Sequence, residues 1–193
     1  MKTAFVIPCR NKVKYVARAC QSVLDQTYPC EIIFSDQGST DGSFEMIQLI
    51  SRNTQAKVLR CPETDPVGMA GLNAHLHWIV QQTDADIILV CSADDWNHPQ
   101  RAERVVEIFQ KHNADYVGTG VDFVTDQDGE FKSVGITAYG TEGFVPPKTI
   151  IDSLVGGSSS TAFKRVSSAW ANCTPAVTFA CVCGSALPAP AAC

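Results

Sequence analysis

The hydrophobic period of this chain changes repeatedly, and that alternation constrains the fold more than any single motif. "TAFVIP" (3–8) is an apolar run of strand length, and residues 13–24 repeat apolar positions at helical spacing until "DQTYP" breaks them. "EIIFS" (31–35) is a second strand, residues 43–52 a helix and "AKVLR" (56–60) a third strand. A loop with Pro62, Pro66 and Gly68 leads to a helix over 70–81, a strand over 86–91, a helix over 99–112 with Pro near its start, and the strand-like "DYVGTGVDFV". Strands alternating with helices of about ten to fifteen residues predict an α/β fold with a mostly parallel sheet flanked by helices.

Such sheets bind ligands at the carboxyl ends of their strands, near a topological switch point. The loops after Pro8, Ser35 and Cys91 are therefore expected on one face. Composition narrows what that face meets. The 193 residues, 45% of them hydrophobic, suffice for one core. Fifteen basic against twenty acidic residues give a net charge of −5, which excludes a basic field for nucleic acid. No window reaches the roughly 18 apolar residues of a membrane span, and the N-terminal apolar run is too short for a secretory leader. The expectation is a cytoplasmic protein without an integral membrane segment, able to work peripherally at a membrane. Nine cysteines, an odd number scattered among core-like elements, are expected to be free thiols.

Every charged residue lies at or before Arg165. The sequence therefore divides into a domain over 1–165 and an uncharged, atypical tail over 166–193. The tail lacks the polar face of a surface element; it could be covered, disordered, or the product of a truncation with an altered reading frame, and the abrupt change favours the last. Cys173, Cys181, Cys183 and Cys193 match no standard zinc spacing.

Three polar loops follow three strands. In "PCRNK", Arg10 and Asn11 can bond a ligand's polar edge, although Asn11 also reads as an ordinary helix N-cap. In "SDQGSTDGS", Asp36 ends a buried strand; Gly38 and Asp41 stand at the third and sixth positions from it, which excludes an EF-hand. In "CSADDWNHP", Asp94 and Asp95 repel each other and would gain from a cation. Mg²⁺ or Mn²⁺ needs only one or two carboxylates when phosphates supply the remaining oxygens. Taken alone, the pair reads first as a solvated turn. "GTGVDF" (118–123) lacks the third glycine of a dinucleotide fingerprint, "GGSSST" (156–161) is no P-loop, and no serine sits in a Gly-x-Ser-x-Gly elbow. His75 and His77 read as helix residues.

Taken in order, "FVIPCRNKVKYVARACQSVLDQTYPCEIIFSDQGSTDGSFEMI" and "DADIILVCSADDWNHPQRAERVVEIF" resemble the nucleotide-binding part of family 2 glycosyltransferases of the GT-A fold. That family has a Val-Ile-Pro strand with a nearby Asn, an Asp-Asp-Gly-Ser-Thr-Asp-Gly loop and an Asp-x-Asp-Asp run; the resemblance covers about residues 3–165. It implies a Rossmann-like GT-A nucleotide-diphospho-sugar transferase. Such an enzyme transfers a sugar from a nucleotide-diphosphate donor, commonly UDP-linked, to an acceptor hydroxyl, with Mg²⁺ or Mn²⁺ on the diphosphate. The acceptor would be a carbohydrate, a lipid-linked group or a protein.

By position, the resemblance assigns Asp36 to the nucleobase and Pro8, Arg10 and Asn11 to the nucleoside side. It puts Asn73 near base and ribose, Asp94 and Asp95 at ribose and metal, and Gly156, Gly157 and Ser158 beside the acceptor. Two positions depart from the pattern: Gln37 replaces the second aspartate of its loop, and Ser92 the first of the Asp-x-Asp-Asp run. The family's catalytic base lies downstream of the Gly-Gly segment, where the tail offers no carboxylate; Asp152 is a weak substitute. The alternative expectation is a catalytically impaired relative that binds nucleotide sugar. A nucleotidyltransferase ranks behind both, because "IPCRNK" lacks the Gly-rich triphosphate loop.

Overall fold

The computed structural model describes residues 1–62, 69–114, 116–127, 130–137, 143–145, 161–165 and 181–183. Its elements are β1 (Thr3–Cys9), α1 (Val13–Leu24), β2 (Glu31–Asp36), α2 (Ser43–Ser51), β3 (Lys57–Arg60), α3 (Met69–Val80), β4 (Ile87–Val90) and α4 (Arg101–His112), then β5 (Tyr116–Gly118), β6 (Val121–Gln127), β7 (Glu130–Thr137), β8 (Gly143–Val145), β9 (Thr161–Lys164) and β10 (Cys181–Cys183). The expected strands and helices are present, with ends shifted by one or two residues.

One sheet runs in the order β3-β2-β1-β4-β9-β5-β10-β8. Strands β3, β2, β1 and β4 are parallel, and β10 is parallel to β5. Strand β9 is antiparallel to both neighbours, as β8 is to β10. The apolar runs of β1 and β4 are buried throughout, as strands covered on both faces must be. Alternation divides their side chains: Phe5, Ile7, Phe34, Ile87 and Leu89 meet buried residues of α1, α2 and α4, whereas Val6, Ile33 and Ile88 pack with Ile79 and Val80 of α3.

Two features depart from a simple alternation. The stretch "DYVGTGVDFV" divides at Thr119–Gly120: β5 joins the main sheet, while β6 pairs with β7 as a separate hairpin. Residues 161–164, which no expected strand covers, form the strand inserted between β4 and β5. Of the tail, Cys181–Cys183 is the strand between β5 and β8; the rest of it lies outside the described residues. Among the described residues, Cys9, Cys20, Cys30, Cys61 and Cys91 are free. No helix among them is long and apolar enough to cross a membrane.

The strand order places the switch point between β1 and β4. From β1 the chain proceeds outward to β2 and β3, then returns through α3 to β4 on the other side of β1. In open sheets of this kind the loops on either side of such a switch point border a crevice at the carboxyl ends.

Candidate functional site at the strand ends

The register of the sheet brings Cys9 beside Asp36 and Val6 beside Val90. Pro8 is buried in β1 opposite Ser35. Val6 turns its carbonyl toward β4, where the Cys91 N–H donates to it at 3.0 Å. Pro8, two residues on, faces the same side beyond the last β1–β4 pair, so its missing N–H interrupts no ladder bond.

Beyond β1, the first two loops are joined by hydrogen bonds. Asn11 N–H donates to Ser39 Oγ (2.8 Å), Thr40 N–H to Asn11 Oδ1 (2.9 Å) and Lys12 N–H to Ser43 Oγ (2.7 Å). Asn11 adopts φ 52°, a left-handed conformation that asparagine tolerates better than most residues. It is therefore a latch between loops, not the N-cap of α1; the N-cap position is Lys12. Asp41 supplies the capping charge from the neighbouring loop, with Oδ2 accepting from Val13 N–H at 3.0 Å and Oδ1 from Ser43 Oγ at 2.6 Å. The Ser43 and Val13 hydrogen bonds hold its carboxyl below the usual range. Arg10 is partly buried on the same loop.

Asp36 is fully buried at the end of β2. Its Oδ2 accepts from Ser39 N–H at 3.0 Å and lies 3.8 Å from Arg60 Nε, whose guanidinium covers the Phe44 ring at 4.4 Å. Its Oδ1 has no hydrogen-bond partner among the described residues. A buried acceptor left without a donor costs about 1–3 kcal/mol, more when charged, so this oxygen is available to a donor brought by water or by a ligand. Gln37 beside it is buried and donates its N–H to Cys9 O. On the opposite sheet face, Ser35 Oγ and His75 Nε2 are 2.8 Å apart, and burial pushes the imidazole down to about 4. Asn73 is exposed on α3, two residues from that anchor.

The opposite wall is the turn after β4. Asp95 N–H donates to Ser92 O at 3.1 Å, setting Asp94 and Asp95 on a tight turn, the first half-buried and the second exposed. Arg101, almost wholly buried, donates to Val90 O (2.9 Å) and Asn97 Oδ1 (2.5 Å) and braces the turn from below. From the side, Arg18 stacks on Trp96 at 3.5 Å and Phe131 at 4.2 Å, joining α1, the turn and the β6–β7 hairpin. Lys12 Nζ reaches Asp94 Oδ2 at 2.5 Å, linking the loops after β1 and β4. That hydrogen bond holds the lysine ammonium above its ordinary range.

The sequence reading placed Asp36, Asn11, Asp94 and Asp95 on strand-end loops and His75 on a helix, where the structure has them, and did not single out Lys12, Arg101 or Arg18. Lys12 and Asp94 are 82 positions apart, and no spacing rule signals such a pair. Asp152, Gly156, Gly157 and Ser158 lie outside the described residues. Among the described residues no three His, Cys, Asp or Glu converge as a metal centre. The donor chemistry nevertheless fits a hard divalent ion that brings phosphate oxygens with it, and Asp94 already holds a cation in the form of the Lys12 ammonium.

The model of the family described as Glycosyl transferase family 2 matches residues 4–166. The chain belongs to that family. An uncharacterized glycosyltransferase, alr2836 of Nostoc sp. (strain PCC 7120), is 28% identical to this family 2 chain over 129 residues, which are 66% of this chain and 39% of the relative. The fold is that of S. aureus TarS in complex with UDP-GlcNAc, with TM-score 0.63, 20% identity, and coverage of 85% of this chain and 45% of that one. It is also that of a mannosyltransferase from Pyrobaculum calidifontis in complex with GDP-Man and Mn²⁺, with TM-score 0.54, 18% identity, and coverage of 63% and 36%. The chain therefore has the GT-A fold and spans less than half the length of these relatives.

Proposed function

We propose that the strand-end crevice binds a nucleotide-diphosphate sugar and that the protein transfers the sugar to an acceptor hydroxyl, with inversion. The observation that carries this reading is Asp36: a buried carboxylate with one unpartnered oxygen suits a nucleobase ring N–H. Nucleotide-sugar complexes of TarS and the Pyrobaculum mannosyltransferase, which share the fold, support it. UDP is the favoured nucleotide. Arg10, Asn11 and Asn73 line the nucleoside side, and Asp94 and Asp95 hold Mg²⁺ or Mn²⁺. A bound divalent ion would neutralise charge developing on the departing diphosphate.

The chain's own contribution is positional. Asn11 and the Ser39–Ser43 loop fix one wall and Arg101 the other, so the diphosphate would enter a preformed crevice rather than order two loops itself. The acceptor side belongs to Gly156, Gly157 and Ser158, and Asp152 is the candidate base. A second reading is binding of the nucleotide sugar with impaired transfer, because the candidate base Asp152 stands upstream of the Gly156–Gly157 segment. Loss of a general base typically slows a reaction about 10²- to 10⁴-fold.

Titration calorimetry with UDP and GDP in the presence of Mn²⁺ tests the binding claim; failure of every nucleoside diphosphate to bind would overturn it. Incubation with UDP-sugars then separates the readings. Turnover at about 1 s⁻¹ or faster favours the complete enzyme, and binding without turnover the impaired one.

A further inference from the structure

Lys12 stands where the three strand-end loops meet. Its own N–H and that of Asn11 are fixed by Ser43 and Ser39, so the β2–α2 loop sets its position. From there the side chain crosses the switch point to Asp94. The two side chains are 39% and 37% exposed, leaving the pair open to exchange. Asp94 is also one of the two carboxylates assigned above to a divalent ion. An ammonium and a metal ion on the same carboxylate would stand in like-charge contact, so each opposes the other's binding.

We infer that Lys12 is a tethered counter-cation: it holds Asp94 while the crevice is empty and moves to the diphosphate oxygens when metal and nucleotide arrive together. The inference rests on the metal–nucleotide reading of the crevice and assigns its order of filling. Metal alone must displace the ammonium without giving it a new partner. Metal with nucleotide supplies that partner, because a flexible lysine is a ready phosphate ligand. Lys12 thus makes the two ligands bind cooperatively, and by linkage the coupling acts equally in both directions. A lysine serving only as a structural tie would leave the coupling between metal and nucleotide unaltered on removal.

The test titrates Mn²⁺ into the full chain, reading free Mn²⁺ by electron paramagnetic resonance, with and without UDP. It compares wild type, K12M and K12R, with folding checked by circular dichroism and K12Q replacing K12M if the latter is unfolded. Without UDP, the uncharged variant is expected to bind Mn²⁺ about three- to tenfold more tightly than wild type, and K12R to match wild type. UDP affinity in the presence of Mn²⁺ should fall about tenfold in the uncharged variant, shrinking the gain in Mn²⁺ affinity that UDP confers. Unchanged, weaker or undetectable nucleotide-free Mn²⁺ binding by the uncharged variant overturns the inference even while wild type binds UDP with Mn²⁺. Failure of wild type to bind UDP with Mn²⁺ overturns the crevice reading itself.

Discussion

Replacing Asp36 with Asn separates a hydrogen-bonding role from simple burial. The isostere keeps one oxygen for Ser39 N–H and puts an NH₂ donor where Oδ1 now stands without a partner. Uracil and guanine present a ring N–H at the corresponding edge, whereas cytosine presents a bare ring nitrogen. The carboxylate therefore favours uracil or guanine, and the amide sets donor against donor. A hydrogen bond to a charged acceptor contributes about 1.5–3 kcal/mol. At 1.4 kcal/mol per tenfold, D36N should weaken UDP binding about 10- to 150-fold and improve CDP relative to UDP. Because a neutral amide is cheaper to bury than a carboxylate, the thermal midpoint should hold or rise, which keeps the affinity change interpretable. Calorimetry with UDP, GDP and CDP in Mn²⁺ reads the outcome. UDP affinity within about twofold of wild type, with CDP unimproved, would refute the assignment of Asp36 to the base.

Other perturbations address the supports of the crevice. His75 has its folded pKa at about 4 against 6.5 for the free group, chiefly through burial, so between those pH values the native state binds fewer protons than the unfolded one. Its neutral form should therefore contribute stability fully above pH 6.5 and lose about 3 kcal/mol of it as the pH falls to 4; urea melts of wild type against H75Q should differ by that slope. R101M strips Val90 O and Asn97 Oδ1 of their buried donor and should cost about 2–4 kcal/mol in the same assay. G42A meets Val13 Cγ2 only at ordinary contact distance, 3.7 Å, so its expected loss of about 1 kcal/mol arises from backbone at φ +94° and should appear as a lower urea midpoint.

The parallel half of the sheet was legible because its physics is local and repetitive. β1 and β4 must be apolar on both faces, and the helices between strands must show one apolar stripe, so both leave a period in the sequence. β9 left no such trace. Its four residues pair with β4 and β5, 73 to 77 positions away for β4, and nothing within "TAFK" distinguishes an inserted antiparallel strand from a loop. The single strand-like run "DYVGTGVDFV" was read correctly as extended but not as two elements. Gly118 and Gly120 flank the point where the chain leaves the main sheet for the hairpin.

The site divides along a similar line. Asp36 was legible because it is a charge at the end of a buried strand, a local contradiction that burial makes costly, whereas the half-buried Asp94 and exposed Asp95 read alone as a solvated turn and stood out only within the ordered set of motifs. Asn11 was legible as polar but not as a latch, since its two partners belong to the next loop. Lys12 and Arg101 were missed for a different reason: both look like ordinary helix-start cations until the fold supplies their partners across the switch point and beneath the turn. What the structure adds is therefore chiefly the cations. Four acidic side chains, Asp36, Asp41, Asp94 and Asp95, crowd one end of the sheet, and an assembly of carboxylates alone would repel an incoming diphosphate. Lys12 and Arg60 temper that field from within the loops, yet each has only a partial hold, through a half-exposed ion pair and a 3.8 Å approach. On the reading proposed above, a crevice balanced in this way suits a ligand that brings both phosphate and metal better than either alone.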